Sequence, residues 1–252
     1  MSILQNAAAV LKLYSADCLE LTVTDVVRRL DMPKANASRL MKAMRDTGML
    51  STIGNTMRHR PGTVMLDLAA IFRRSSRLIS RASDAVSTLS TQFGHTGYIS
   101  ILDRQEVTAV ADFPGTNALR VVSNIGRRLS AHQSATGRSI LARMSDDEVA
   151  ALYDGQPPTG SLPSQLAMIR QNGFATSSQE STAGVDAIAV AVGDPATHEI
   201  LSLCIVYPHG IVDYDECRQM LTTLARAAGE IAEDFGDSAF VAPKFELKDN
   251  SV

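Results

Sequence analysis

The sequence predicts an α+β chain in two parts: a basic, helical N-terminal third, then an acidic α/β domain built on a largely antiparallel sheet. Three observations predict this. Lysine and arginine are concentrated near the N-terminus, the first fifty residues show apolar positions at helical spacing between caps, and strand and helix patterns alternate from about residue 80 onward. The 252 residues, 45% hydrophobic and 20% charged, suffice for two ordinary domains with real cores.

The net charge of −3 conceals a split. Residues 1–81 hold thirteen Lys and Arg against six Asp and Glu, or +7, which leaves eleven bases against 21 acids, or −10, for the rest. Such segregation suggests one module that meets a polyanion and one that does not, although small domains also scatter this far by composition alone. No run approaches the roughly 18 apolar residues of a membrane span, and "MSILQNAAAVLKLYSAD" lacks the basic flank and cleavage site of a signal peptide. Cys18, Cys204 and Cys217 form no CxxC pair. The expected setting is the cytoplasm, with no membrane, disulfide framework or cysteine-held metal.

Three helices can be placed before residue 50. Ile3 to Tyr14 sets Leu4, Ala7, Ala8 and Leu11 on one face. Thr22 and Asp25 form a capping box that opens a short second helix through Val26, Val27 and Leu30. Asp31 tolerates a left-handed turn, and Pro33 breaks the chain at Met32 while suiting the first turn of a third helix, Pro33 to Thr47, which Gly48 stops. That helix buries Ala37, Leu40, Met41 and Met44 at i, i+3, i+4 and i+7 and turns Ser38, Arg39, Lys42 and Asp46 outward, with Asn36 and Arg45 at the edges. The strand-like pieces of "MLSTIGNTMRHRPG" around Gly54-Asn55 add a wing carrying Arg58, His59 and Arg60.

Two helices joined by a tight turn, the second basic and amphipathic and followed by a wing, describe a winged helix-turn-helix whose second helix enters the major groove of DNA. Arginine can read guanine edges with a bidentate fork, whereas Lys and Ser more often hold phosphates. A basic solvated face is the plainer alternative; the agreement of turn, face, wing and charge favours DNA. "VMLDLAAIFRRSSRLIS" continues as a linker helix over 63–80 that either pairs two subunits or merely connects.

The remainder reads as helix "LISRASDAVSTLSTQFG", a hairpin "YISILDRQEVTAVADF" turning at Asp103 to Gln105, and a strand "LRVVSNIG". Ser134 then caps "ATGRSILARM", and "SDDE" is a second capping box at Ser145 to Glu148. "SLPSQLAMIRQNG" follows a Pro/Gly loop; strands lie at "FATSSQE", "VDAIAVAVG" and "EILSLCIVYP", and a long helix, Asp213 to Phe235, precedes a loose tail. Catalytic signatures are missing: no GxSxG, P-loop, GxGxxG or HExxH occurs, and His59, His95, His132, His198 and His209 lack metal-ligand spacing. Cys204 reads as a buried small hydrophobe. The small residues Ser134 to Gly137 leave backbone N–H groups at a helix start that suits an anion, or are only a well-made cap.

In their order along the chain, "NAAAVLKLYS", "TVTDVVRRLDMPKANASRLMKAMRDTGML", "RHRPG", "RVVSNIGRRLSAHQSATGRSILARMSDDEVAALY" and "IRQNGFATSSQES" resemble the IclR family of bacterial transcriptional regulators over nearly the whole length. The resemblance implies a winged helix-turn-helix (1–62), a dimerising linker helix (63–80) and a GAF-like effector-binding domain (81–240), which leaves 241–252 as the expected loose tail. It implies homodimers or dimers of dimers on double-stranded operator DNA near catabolic genes, commonly as repressors, with a small-molecule effector and no cofactor. The residues it points toward DNA are Lys34, Asn36, Ser38 and Arg39, with Lys42 one turn later; Thr24, and Arg45, Arg58 and Arg60 from the helix edge and wing, complete the expected DNA-binding set. Asp31 replaces the usual inter-helix glycine, which implies a strained or reshaped turn. Effector-contacting positions correspond to Leu119, Val122, Leu129, Ala135, Thr136, Ser177, Val185, Ala187, Cys204 and Val206. Glyoxylate- and pyruvate-responsive members carry an acid and a cysteine where this chain has Ser177 and Ala187, and two pocket serines are Cys204 and Val206 here. A larger carboxylate or an aromatic acid is therefore expected rather than a very small oxo-acid. An enzyme on the C-terminal domain and a metabolite sensor acting on a protein partner are the rival readings. The first would need a base and a nucleophile in contact, which the sequence does not offer.

Overall fold

Capping chemistry sets the start of the helices in the computed structural model, which describes residues 2–15, 17–121, 127–155 and 158–244. Ser2 accepts from the Gln5 amide and Gln5 accepts in return, which opens α1 (Ile3–Leu11), ending three residues short of the expected Tyr14. Thr22 and Asp25 form the same reciprocal box ahead of α2 (Val23–Leu30). The Thr22 amide and hydroxyl donate to the Asp25 carboxylate at 2.9 and 2.7 Å and hold its pKa below the usual carboxylate range. Asp31 sits at φ 49°, ψ 44°, so the turn keeps the left-handed geometry that a glycine would adopt, with strain rather than a new path. Pro33 leads into α3 (Lys34–Asp46), and Gly48, at φ 78°, ends it.

Strands β1 (Leu50–Thr52) and β2 (His59–Pro61) pair antiparallel, Leu50 opposite Pro61, as the wing. Leu21 bridges to His59, so the wing is tied to the segment ahead of α2. Val10, Leu21, Val26, Ala37, Leu40, Met41, Met44 and Leu50 form one core. The helix α4 (Thr63–Ser75) completes the first of two compact units, Met1–Ser75, and buries none of its side chains.

The second unit begins at Ser76, whose hydroxyl accepts from the Ile79 amide and opens α5 (Arg77–Phe93). One helix over 63–80 was expected; instead it ends at Ser75, because Ser76 caps a new helix whose Leu78, Ile79 and Ala82 belong to the second core. Next come β3 (Thr96–Asp103) and β4 (Glu106–Phe113), turning through Arg104 at φ 58°, then β5 (Arg128–Ser130) and a 3₁₀ turn at Ala131–Gln133. Helices α6 (Ala135–Leu141), α7 (Asp146–Leu152) and α8 (Leu162–Asn172) precede β6 (Ala175–Ser178), β7 (Val185–Asp194), β8 (Glu199–Pro208) and α9 (Tyr214–Phe235). The strand expected at 119–126 is absent from 119–121, and 122–126 fall outside the described residues; the edge strand lies at Arg128–Ser130.

The six strands run in the order β5-β4-β3-β8-β7-β6, with every neighbouring pair antiparallel. Alternation along the strands divides their side chains between two faces. Ile188, Val190 and Val192 of β7 with Leu201, Leu203 and Ile205 of β8 pack under α5 and α9. The intervening Ala187, Ala189 and Ala191, with Ser202, Cys204 and Val206, face the opposite side, where α6, α7 and α8 lie. Covering on both faces explains why these strands read as unbroken apolar runs.

The segment after α9 is not loose over its described part. Asp237 is buried, accepts from the Gly193 amide at 2.7 Å, and meets Arg143 through both terminal nitrogens at 2.5 and 3.0 Å. Phe240 packs on the α5–α9 core, and the Lys244 amide donates to the Asn172 carbonyl at 2.8 Å. Replacing Asp237 with alanine strands the Arg143 guanidinium and the Gly193 amide together, so chemical denaturation is expected to show about 3–5 kcal/mol lost from the second unit.

Candidate functional site

Two places on this fold carry recognisable chemistry. The first is the outward face of α3. Burial of Ala37, Leu40, Met41 and Met44 fixes the rotation of the helix, and Lys34, Asn36, Ser38, Arg39, Lys42 and Arg45 are consequently all exposed. Thr24, in the first turn of α2, is exposed too. The Arg39 guanidinium donates to Asn36 Oδ1 at 2.7 Å, which gathers these two side chains on the first turns of α3. Asp46, an acid on the same face, is accounted for by Arg45, 3.4 Å away at the outgoing end. On the wing, Arg58 pairs with Glu20 at 2.9 Å and Arg60 donates to Ser51 Oγ at 3.3 Å. These exposed pairs are worth about 0–1 kcal/mol each and are exchangeable for other anions.

The second place is a cavity of about 290 Å³ on the face of the large sheet away from α5 and α9. Tyr98 and Ser100, Val107 and Ala109, and Val185 and Ala187 enter it in i, i+2 pairs from β3, β4 and β7. Leu129, Ser177 and Val206 add a residue each from β5, β6 and β8. Ser134, Ala135 and Thr136 close one side from the start of α6, while Val121, Arg127, Ser181 and Thr182 come from connecting segments. The Gly137 amide is already bonded to Ser134 Oγ at 3.0 Å, and a Cβ on Gly137 would lie 2.2 Å from the Ala131 carbonyl oxygen; the helix start is tightly seated on the 3₁₀ turn.

Seven of the ten effector positions expected from the sequence line the cavity: Leu129, Ala135, Thr136, Ser177, Val185, Ala187 and Val206. Cys204 is fully buried in the layer behind them, next to Ala135, Ala187 and Val206, and burial pushes its thiol up to about 11, the behaviour of an inert core group. Leu119 is 60% exposed and does not line it, and residues 119–121 form no strand. Val122 lies outside the described residues. Tyr98, Ser100, Val107, Ala109, Arg127, Ser181 and Thr182 were not foreseen. Strand alternation could have found the first four, since Tyr98 and Ser100 face as Val107 and Ala109 do across the hairpin. The lining is also richer in hydroxyls than the transferred positions alone implied. Among the described residues no group of side chains is arranged to hold a metal ion, and no helix is long and apolar enough to cross a membrane.

A winged helix-turn-helix with a free basic face, joined to a separate unit that encloses a ligand-sized cavity, defines a class: DNA-binding transcriptional regulators. The IclR helix-turn-helix domain matches residues 3–54, and the C-terminal domain of bacterial IclR transcriptional regulators matches residues 73–233. The chain belongs to the IclR family, whose members are DNA-binding regulators and not enzymes. It is similar to the HTH-type transcriptional regulator XynR of Escherichia coli K12, with 26% identity over 242 residues covering 92% of this chain and 96% of that one. Among solved structures, an IclR-type regulator from Silicibacter superposes with a TM-score of 0.81 at 23% identity, covering 95% of this chain and all of that one. An IclR homologue from Microbacterium hydrocarbonoxydans, solved in complex with 4-hydroxybenzoate, gives 0.78 at 22% identity, covering 94% and 100%.

Proposed function

We propose that this chain is a dimeric regulator of catabolic genes whose operator affinity is set by an organic or aromatic acid bound in the second unit. The observation that carries the reading is the cavity: at about 290 Å³ it lies at the small end of the ~300–1,000 Å³ typical of ligand sites, and its walls combine aliphatic side chains with convergent hydroxyls. A small acid with an apolar body fits these walls better than a two-carbon oxo-acid, and the complex of a homologue with 4-hydroxybenzoate supports the aromatic option. Linkage supplies the mechanism. A ligand that favours one arrangement of the dimer shifts the spacing of two recognition helices and, with it, operator affinity; the sign of that shift separates repression from activation. Activity on chromosomal DNA would place the protein in the cytoplasm.

On DNA, α3 enters the major groove with Asn36, Ser38 and Arg39 toward the bases, and Thr24, Lys34, Lys42, Arg45, Arg58 and Arg60 toward the backbone. Pairing of subunits falls to α4, which leaves Leu68 55%, Ile71 54% and Phe72 48% exposed at i, i+3 and i+4; an apolar stripe of this kind marks a surface that a partner covers.

Three measurements test this. Thermal-shift screening is expected to show stabilisation by aromatic or medium-sized carboxylic acids; stabilisation by glyoxylate or pyruvate alone would remove the effector assignment. Fluorescence anisotropy on operator DNA should show that Arg39→Ala costs about 1–3 kcal/mol on the specific site and relaxes its sequence preference. Lys42→Ala should weaken all sequences alike and lower the salt slope by about one; equal losses on specific and random DNA for both variants would cancel these roles. Phe72→Glu should shift the sedimentation profile toward monomer, and an unchanged profile would move the dimer interface elsewhere.

A further inference from the structure

Five arginines among the described residues are withdrawn from solvent, partly or wholly, and their partners set one apart. Arg138 meets Glu180 through both terminal nitrogens at 2.6 and 3.1 Å, and Arg143 meets Asp237 in the same way. Arg170 meets Asp146 at 2.7 Å, and Arg81 lies against Asp234 at 2.9 Å and Glu230 at 3.7 Å. Each of these guanidiniums has a carboxylate. Arg127 has none within ion-pair distance among the described residues: its terminal nitrogens donate to the Thr182 hydroxyl at 3.1 Å and the Ser181 carbonyl at 3.3 Å, both neutral. It is also the one charged side chain among the described residues lining the cavity.

Withdrawing a guanidinium from water without a counter-charge is costly, and the cost is normally offset by an anion. Elsewhere in this unit the chain supplies that anion itself. A smaller cavity of about 140 Å³ is lined by Arg143 and Arg170, both already neutralised, and so makes no comparable demand. In the larger one the positive charge stands opposite hydroxyls and aliphatic walls.

We infer that Arg127 selects the charge class of the effector, taking one carboxylate of a monoanionic ligand between its terminal nitrogens while the apolar body of the ligand lies against Val107, Leu129, Val185 and Val206. This rests on the cavity being the effector site. The two bonds to Ser181 and Thr182 orient the planar fork, and each of the nitrogens that makes them carries a second N–H for a ligand oxygen. The same inventory disfavours two neighbouring ligand classes. A zwitterionic amino acid would leave its ammonium without an acid, and a dicarboxylate would leave its second charge without a cation.

The test is calorimetric titration of the full-length protein with benzoate, 4-hydroxybenzoate and phenylacetate, each beside its neutral amide. The wild type is expected to bind the preferred acid about 10- to 100-fold more tightly than the matching amide, the range for hydrogen bonds to a charged group. Arg127→Ala should bring the ratio near one while amide affinity is kept, which also shows that the variant is folded. Arg127→Lys, which keeps the charge but not the fork, should fall between. An acid-to-amide ratio that survives in Arg127→Ala, a wild type with no preference for acid, or no binding of any of the three acids overturns the inference. Operator affinity measured alongside separates it from the regulatory reading. An acid that shifts operator affinity equally in wild type and Arg127→Ala leaves regulation standing and removes Arg127. Acid binding that depends on Arg127 but leaves operator affinity unmoved supports Arg127 and removes regulation.

Discussion

The strict two-residue alternation of β7 and β8 is the constraint on which the second unit depends. Paired antiparallel from Val185–Pro208 to Asp194–Glu199, these strands send branched aliphatic side chains to one face and alanine, serine, cysteine and valine to the other. The bulky face draws α5 and α9 down onto a dense core. The small face cannot fill the space under α6 by itself, and the volume left over is the cavity. A one-residue slip of either strand would exchange the two sets of side chains and destroy core and cavity together. The packing of the core and the shape of the cavity therefore rest on the same register.

The first unit is organised by a different periodicity to a similar end. Four buried positions on α3 fix which way its basic face looks, and the reciprocal box of Thr22 and Asp25 fixes where α2 begins. Asp31 keeps the left-handed turn between these helices although its side chain makes that conformation costly. The recognition helix is held from below by Leu40, Met41 and Met44 and from behind by the wing. A face positioned by a core, rather than by its own contacts, can be remodelled in sequence without losing its orientation.

Much of this was legible in the sequence wherever a local rule applied. The capping boxes at Thr22 and Ser145, the stop at Gly48, the Asp103–Gln105 hairpin and the last three strands depend on residues near one another in the chain, and the structure has them. What escaped depends on distant partners. Ser76 interrupts a helical pattern that runs smoothly in sequence, because residues 78, 79 and 82 are claimed by another core. Asp237 and Phe240 are polar or isolated in a tail-like stretch, and only Arg143, Gly193 and the α5–α9 core give them a place. The cavity was half visible. Positions carried by family resemblance found the walls given by β5 to β8 and the start of α6 but missed Tyr98, Ser100, Val107 and Ala109 of β3 and β4, while Arg127, Ser181 and Thr182 come from connections whose course no periodicity predicts.

The ion pair between Arg58 and Glu20 gives the wing a property that a bare cation would lack. Under the proposed DNA contact, a phosphate that took Arg58 would draw it from an exposed pair worth about 0–1 kcal/mol, so Glu20 would release it at little cost. Until then Glu20 neutralises Arg58, and the two together present no net charge to an approaching molecule. The wing's cation is thus held in an exchangeable pair, set in position yet neutral until an anion arrives that binds it more tightly than Glu20 does.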